Sequence, residues 1–229
     1  MRSGSFAPIF VACIALSIFA RADAAATHPY YYLHQTDVDL RVLLPPPPDP
    51  SSAEEQADDK KVASIVANRT PAELVDALDE SKRNVFFFAP SVGAGFAPEH
   101  LPLTTAFFDR IASDVERFVG DAKSYWKRPR PGNATEKQGS YPSCHAAFAA
   151  STAIVLAQIL PEKRDQIFLQ ARLFAENRIV LGVHYPTDIA AGWTTGTLAV
   201  GAMMHDKAYL RDYAAAKAEL RKALGLPRA

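Results

Sequence analysis

Residues 161–188 read PEKRDQIFLQARLFAENRIVLGVHYPTD, and this stretch decides the fold. Ile167, Ala171, Phe174 and Arg178 recur at spacings of three or four, which places them on one face of a helix expected from about Pro161 to Leu181. The chain then turns between Gly182 and Pro186, and a further helix starts near Thr187 and continues through Ile189 to Met204. Working upstream, a helix follows Ser143 and buries Phe148, Thr152, Val155, Leu156 and Ile159 before Pro161 ends it. Earlier still, Leu103, Phe107, Ile111, Val115, Phe118, Val119 and Ala122 form another helical stripe. Ser51 or Ser52 is placed to cap a charged helix reaching Asn68, and Thr70-Pro71 followed by Glu73 opens the next. Alternating patterns are scarce: Asn84 to Ala89 is the only β-rich run, and it is short. Residues 51–229 are therefore expected to form one all-α domain, a helical bundle without internal repeats.

Several of these helices end on charge. Lys123 lies four residues after Val119 and eight after Val115, at the end of the buried stripe, and Arg178 continues the stripe of Ile167, Ala171 and Phe174. A charge on an apolar face is costly unless it is paired. Taken singly, each is as well explained by a structural carboxylate or by a stem that snorkels to solvent. Together they lack an acidic residue on their own stripes, and an anionic ligand would neutralise both. The run Lys127-Arg128-Pro129-Arg130-Pro131 reads either as a solvated basic loop or as a rigid mount for Arg130, whose fork suits phosphate. Ser143 is a favourable helix N-cap, so the amides of Cys144, His145 and Ala146 face whatever precedes the helix, as at an anion site. A plain cap with a surface His145 gives the same sequence. Asp188, near the start of its helix, can accept a hydrogen bond from one nitrogen of His184 and leave the other free as nucleophile or base. A capping Asp beside an incidental His is the competing explanation.

The chain opens with Arg2, an apolar stretch from Phe6 to Ala20 and the small-x-small pattern Ala22-Asp23-Ala24, so residues 1–24 are expected to be a cleaved secretory signal. The apolar stretch is shorter than the roughly 20 residues of a membrane-spanning helix, and stable membrane insertion is not expected after cleavage. Loss of Arg2, Arg21 and Asp23 lowers the 25 basic and 25 acidic residues to 23 and 24, which argues against nucleic acid or anionic membrane as a standing partner. Cys13 leaves with the signal, so Cys144 remains without an intrachain disulfide partner. Residues 25–50 hold Tyr30-Tyr31-Tyr32 and Pro45 to Pro48 and are expected to be an extended Pro-rich arm outside the core. Packing on its own domain, packing on a second copy in a homo-oligomer, and disorder are all open to it.

Three segments carry a family resemblance: Lys123 with Arg130-Pro131, Pro142-Ser143-Cys144-His145, and Asn177-Arg178 with His184 and Asp188. They resemble the signature of the PAP2, or type 2 phosphatidic acid phosphatase, superfamily, which also contains vanadium-dependent haloperoxidases. With its signal-like leader and proline arm, the chain looks most like the soluble bacterial class A non-specific acid phosphatases. Asn177 stands where the family usually has Ser, and Cys144 where it has Gly, inside the phosphate cradle. A side chain there can crowd the ligand or demand a φ that only glycine tolerates, although the first residue of a helix should be permissive.

The resemblance implies an all-α fold of the acid phosphatase and haloperoxidase type. It implies a periplasmic or secreted acid phosphatase of broad specificity acting on small phosphomonoesters, with no metal and no cofactor. Lys123, Arg130, Ser143, Cys144 and Arg178 would hold the phosphoryl group. His184 would attack as nucleophile, oriented by Asp188, and His145 would protonate the leaving group. A haloperoxidase on the same site, or a phosphate-binding protein attenuated by Cys144, are the alternatives.

Overall fold

Around a central helix that is apolar on nearly every side, the other long helices pack as a bundle. The structure, a computed structural model, describes residues 30–34, 38–79, 83–132 and 138–227. The expected signal, residues 1–24, lies outside the described residues. Among the described residues the regular structure is helical and includes no strand. The helices are α1 (Leu40–Leu43), α2 (Ala53–Asn68), α3 (Pro71–Asp79), α4 (Ala89–Val92), α5 (Pro102–Trp126), α6 (Cys144–Ile159), α7 (Arg164–Val180), α8 (Pro186–Met203) and α9 (Lys207–Ala223).

The central element is α6. Ala146, Ala147, Phe148, Ala149 and Ala150 are all buried, as are Val155, Leu156 and Ile159 further along. A helix that is apolar all round belongs in the middle of a domain. α5, α7 and α8 pack against it, and α9 lies mainly on α5. The α6–α8 crossing is close because α8 presents Gly192 and Gly196. A Cβ at Gly192 would collide with the Ser143 carbonyl, and one at Gly196 with the Ala147 carbonyl. This contact also docks the start of α6 on the start of α8, where the Ser143 amide donates to the Asp188 carbonyl at 3.0 Å. Gly192→Ala is therefore expected to destabilise the fold by about 1–3 kcal/mol, because backbone must move to admit the methyl group. Thermal unfolding checks this, and an unchanged Tm would contradict the close crossing.

Three expectations change. The β-rich run becomes a 3-10 turn, Val85–Phe88, that leads into α4, with Asn84 capping it through the Phe86 amide. Its aromatic residues serve the core instead of a ladder: Phe88 is fully buried and the Phe87 ring lies 4.7 Å from that of Phe174. The described part of the arm belongs to the core on its own domain. Tyr32 and Leu33 are buried, and the amides of Tyr31, Tyr32 and Leu33 donate to the carboxylate of Asp114 on α5 at 2.7–3.0 Å. Further along, Leu40 and Leu44 are buried and the Tyr141 hydroxyl donates to the Pro45 carbonyl. Finally, α9 was not expected from the periodicity. Its buried face is thin, with Tyr209, Ala216 and Leu220 on a helix otherwise rich in Ala, Lys and Arg, and Asp206 caps it through the Tyr209 amide.

Candidate active site

Five parts of the chain meet at one end of the bundle. The last turn of α5 brings Lys123, the loop after it Arg130, the first turn of α6 Ser143 to His145, the end of α7 Arg178, and the turn before α8 His184. Lys123, Arg130, Cys144, His145, Arg178 and His184 line one cavity of about 130 Å³. That is room for a phosphoryl group and little more. Larger hollows exist elsewhere on the surface, but neither gathers several Lys and Arg side chains around imidazoles.

Two of the cations, Lys123 and Arg130, are held by backbone carbonyls. Lys123 is 5% exposed, and its ammonium donates to the carbonyls of Gly139 and Ser140. Arg130 donates through Nε to the Gln138 carbonyl at 3.1 Å and through Nη1 to the Val183 carbonyl at 2.7 Å. Carbonyl partners orient a cation without cancelling its charge, so the cavity stays electropositive. Arg178, 6% exposed on the inward stripe of α7, supplies the third charge. Ser143 caps α6 by accepting from the Ala146 amide, so the helix N-terminus opens at the cavity.

His184 sits at the floor, 2% exposed, with Nδ1 at 3.1 Å from Asp188 Oδ2. The same carboxylate oxygen accepts from the Tyr185 amide at 2.9 Å. An ionised Asp188 assigns the proton to Nδ1, which leaves the lone pair on Nε2. Nε2 faces the cavity, 3.2 Å from Arg130 Nη1. Burial pushes the imidazole down to about 4; Asp188 pulls it upward, while Lys123 and Arg130 push it further down. Burial alone would raise the Asp188 carboxyl, but the hydrogen bond and charge of His184, with Arg128 and the Tyr185 amide, hold it below its ordinary value. The pair is thus a neutral imidazole on an ionised carboxylate. His145, one residue beyond Cys144, also lines the cavity, with its ring tilted 5.7 Å from that of Phe174.

Cys144 is the first residue of α6, half-buried, and among the described non-glycine residues positive φ occurs only at Lys127. Its backbone is therefore ordinary helix, and a glycine is not demanded there. Burial pushes the thiol up, against a pull from Arg83, which disfavours the thiolate that nucleophilic sulfur requires.

The structure thus brings all eight expected site residues together, and adds others. Arg83 and Glu116 form an ion pair at 2.6 Å on the cavity wall. Neither lies on a motif, and their partnership across 33 residues has no local sequence signal. Arg128, one of two explanations of whose basic run was a solvated loop, is instead buried behind Asp188. Among the described residues no group of three or more His, Cys, Asp or Glu is placed to hold a metal ion. Among the same residues no helix is long and apolar enough to cross a membrane.

Three cations and a helix N-terminus thus surround a buried His–Asp pair, an arrangement with the chemistry to hold a phosphoryl group. Residues 106–212 match the PAP2 superfamily. The chain is similar to the acid phosphatase of Zymomonas mobilis subsp. mobilis, at 30% identity over 149 residues, 59% of this chain and 56% of that protein. It is 27% identical to the non-specific acid phosphatase of Salmonella typhi over 221 residues, 89% of this chain and 88% of that one. A transmembrane PAP2-type phosphatidylglycerolphosphate phosphatase from Bacillus subtilis superposes with a TM-score of 0.49 at 20% identity, over 67% of this chain and 86% of that one.

Proposed function

We propose that the chain hydrolyses small phosphomonoesters with broad specificity through a phosphohistidine on His184. This lies within the phosphoric monoester hydrolase class to which its PAP2 match and acid phosphatase relatives assign it. The observation that carries the reading is the cavity itself: Lys123, Arg130 and Arg178 surround His184, whose Nδ1 is held by Asp188. In the reaction the three cations, the Ser143 hydroxyl and the amide at Cys144 take the phosphoryl oxygens. Nε2 of His184 attacks phosphorus, the bond to the ester oxygen breaks, and His145 gives that oxygen its proton. His145 then takes a proton from water as the water oxygen attacks phosphorus, the P–N bond breaks, and inorganic phosphate leaves. Turnover of p-nitrophenyl phosphate tests the reading, and phosphate binding without turnover would contradict it.

The pH dependence follows from the floor of the cavity. With its value depressed to about 4, His184 keeps its lone pair above that pH and loses it to protonation below. The rate kcat/KM should therefore rise as pH climbs through about 4, and fall again when His145 gives up the proton it must donate. An enzyme inactive below pH 6 would contradict this assignment. The proposed charge stabilisation needs no metal, so prolonged incubation with chelator should leave the rate unchanged. A loss restored by a divalent cation would contradict it. The leader pattern of residues 1–24 supports a periplasmic or secreted location.

A further inference from the structure

Lys127, the αL residue with φ 51°, ends α5 and turns the next side chain inward. That side chain is Arg128, 3% exposed. Its Nη1 donates to the Thr187 hydroxyl and to Asp188 Oδ1, both at 2.7 Å. Its Nη2 donates to Glu55 and, at 2.9 Å, to Asp58, both on α2, and its Cζ lies 4.0 Å from the centre of the Tyr185 ring. Thr187 in turn donates to Asp58. The two oxygens of Asp188 are therefore divided. Oδ2 faces His184 and the Tyr185 amide; Oδ1 faces Arg128 and, at 3.3 Å, the Ser140 hydroxyl.

From this geometry we infer that Arg128 is a positioning residue: its fork fixes Asp188 from behind, anchored on α2, and thereby sets the orientation and proton affinity of His184. The inference rests on the reading of His184 as nucleophile. A purely structural salt bridge would be complete with Glu55 and Asp58; this one places its other arm on the carboxylate that holds the imidazole. A lysine could supply the charge but not the planar fork that serves acceptors on both sides.

The electrostatic consequence has a definite sign. The His184–Asp188 pair is faced by Lys123 from α5, Arg130 and Arg128 from the loop, Tyr141 and His145 at the start of α6, Arg178 from α7, and Glu55 and Asp58 from α2 behind Arg128. Removing the Arg128 charge makes the imidazolium easier to form and leaves Glu55 and Asp58 uncompensated nearby. Both effects move His184 titration to higher pH.

Arg128→Met and Arg128→Lys test this with p-nitrophenyl phosphate across pH. In folded Arg128→Met, kcat is expected to fall about 10- to 100-fold, as when the outer partner of a working histidine is removed. KM stays near the wild-type value and the acid limb of kcat/KM moves to higher pH. Arg128→Lys keeps the charge and loses the fork, so kcat falls while the acid limb stays in place. Should the Met variant fail to fold, the Lys variant decides. Wild-type kcat with an unmoved acid limb, or a loss confined to KM, would overturn the inference in either variant. Failure of the underlying reading is distinct: His184→Ala would then remain active whatever the Arg128 variants do.

Discussion

His184→Ala is expected to lower turnover of p-nitrophenyl phosphate by about 10,000-fold or more, because no other group at the cavity floor can form the bond to phosphorus. The imidazole is 2% exposed and anchored through Nδ1, so its Nε2 is already aimed at the position where three cations would hold the phosphoryl group. Truncation removes the nucleophile but leaves Lys123, Arg130 and Arg178 in place. Inhibition by inorganic phosphate should therefore persist in the variant, with a dissociation constant near that of the wild type. Loss of turnover with retained phosphate binding separates a missing nucleophile from a collapsed site. Near-normal turnover would sink the assignment, and Cys144 would not be the natural substitute, since burial keeps its thiol protonated.

Asp188→Asn is expected to cost about 1,000- to 10,000-fold in kcat, as when a histidine loses the carboxylate that fixes its tautomer. The carboxylate accepts four hydrogen bonds: from His184 Nδ1 and the Tyr185 amide on Oδ2, and from Arg128 and Ser140 on Oδ1. An amide is isosteric but must present an NH₂ group to one of these two sets of donors. If it faces His184, the imidazole is driven to carry its proton on Nε2, where it cannot attack. If it faces Arg128, donor opposes donor in a buried place. Substrate binding should change little, so the loss belongs in kcat; a loss appearing chiefly in KM would argue that Asp188 shapes the phosphate cradle instead.

Most of this site could be read from the sequence because its members sit at helix ends marked by local signals. Lys123 and Arg178 prolong apolar stripes, Ser143 caps an alanine-rich helix, and His184 precedes Asp188 by one helical turn. The parts that escaped are those made by distance or by tertiary override. Arg128 meets Glu55 and Asp58 across 73 and 70 residues, and nothing near it in the chain distinguishes it from exposed Lys127. The Phe86 to Phe88 run has strand propensity, yet its rings are claimed by different parts of the core. The aromatic start of the arm is drawn into the bundle by Asp114, an acidic residue whose inward position on α5 becomes meaningful once the Tyr31, Tyr32 and Leu33 amides are seen to need an acceptor.

The most direct measurement is to quench the protein during turnover of a phosphomonoester carrying a labelled phosphoryl group and to map the labelled peptide. The label should be found on the segment containing His184, bound as an acid-labile, alkali-stable phosphoramidate, and should be absent from His184→Ala. Label on Cys144 or on Ser143, or steady turnover with no covalent label under conditions where chemistry is faster than hydrolysis of the intermediate, would contradict the phosphohistidine and the role given to His184.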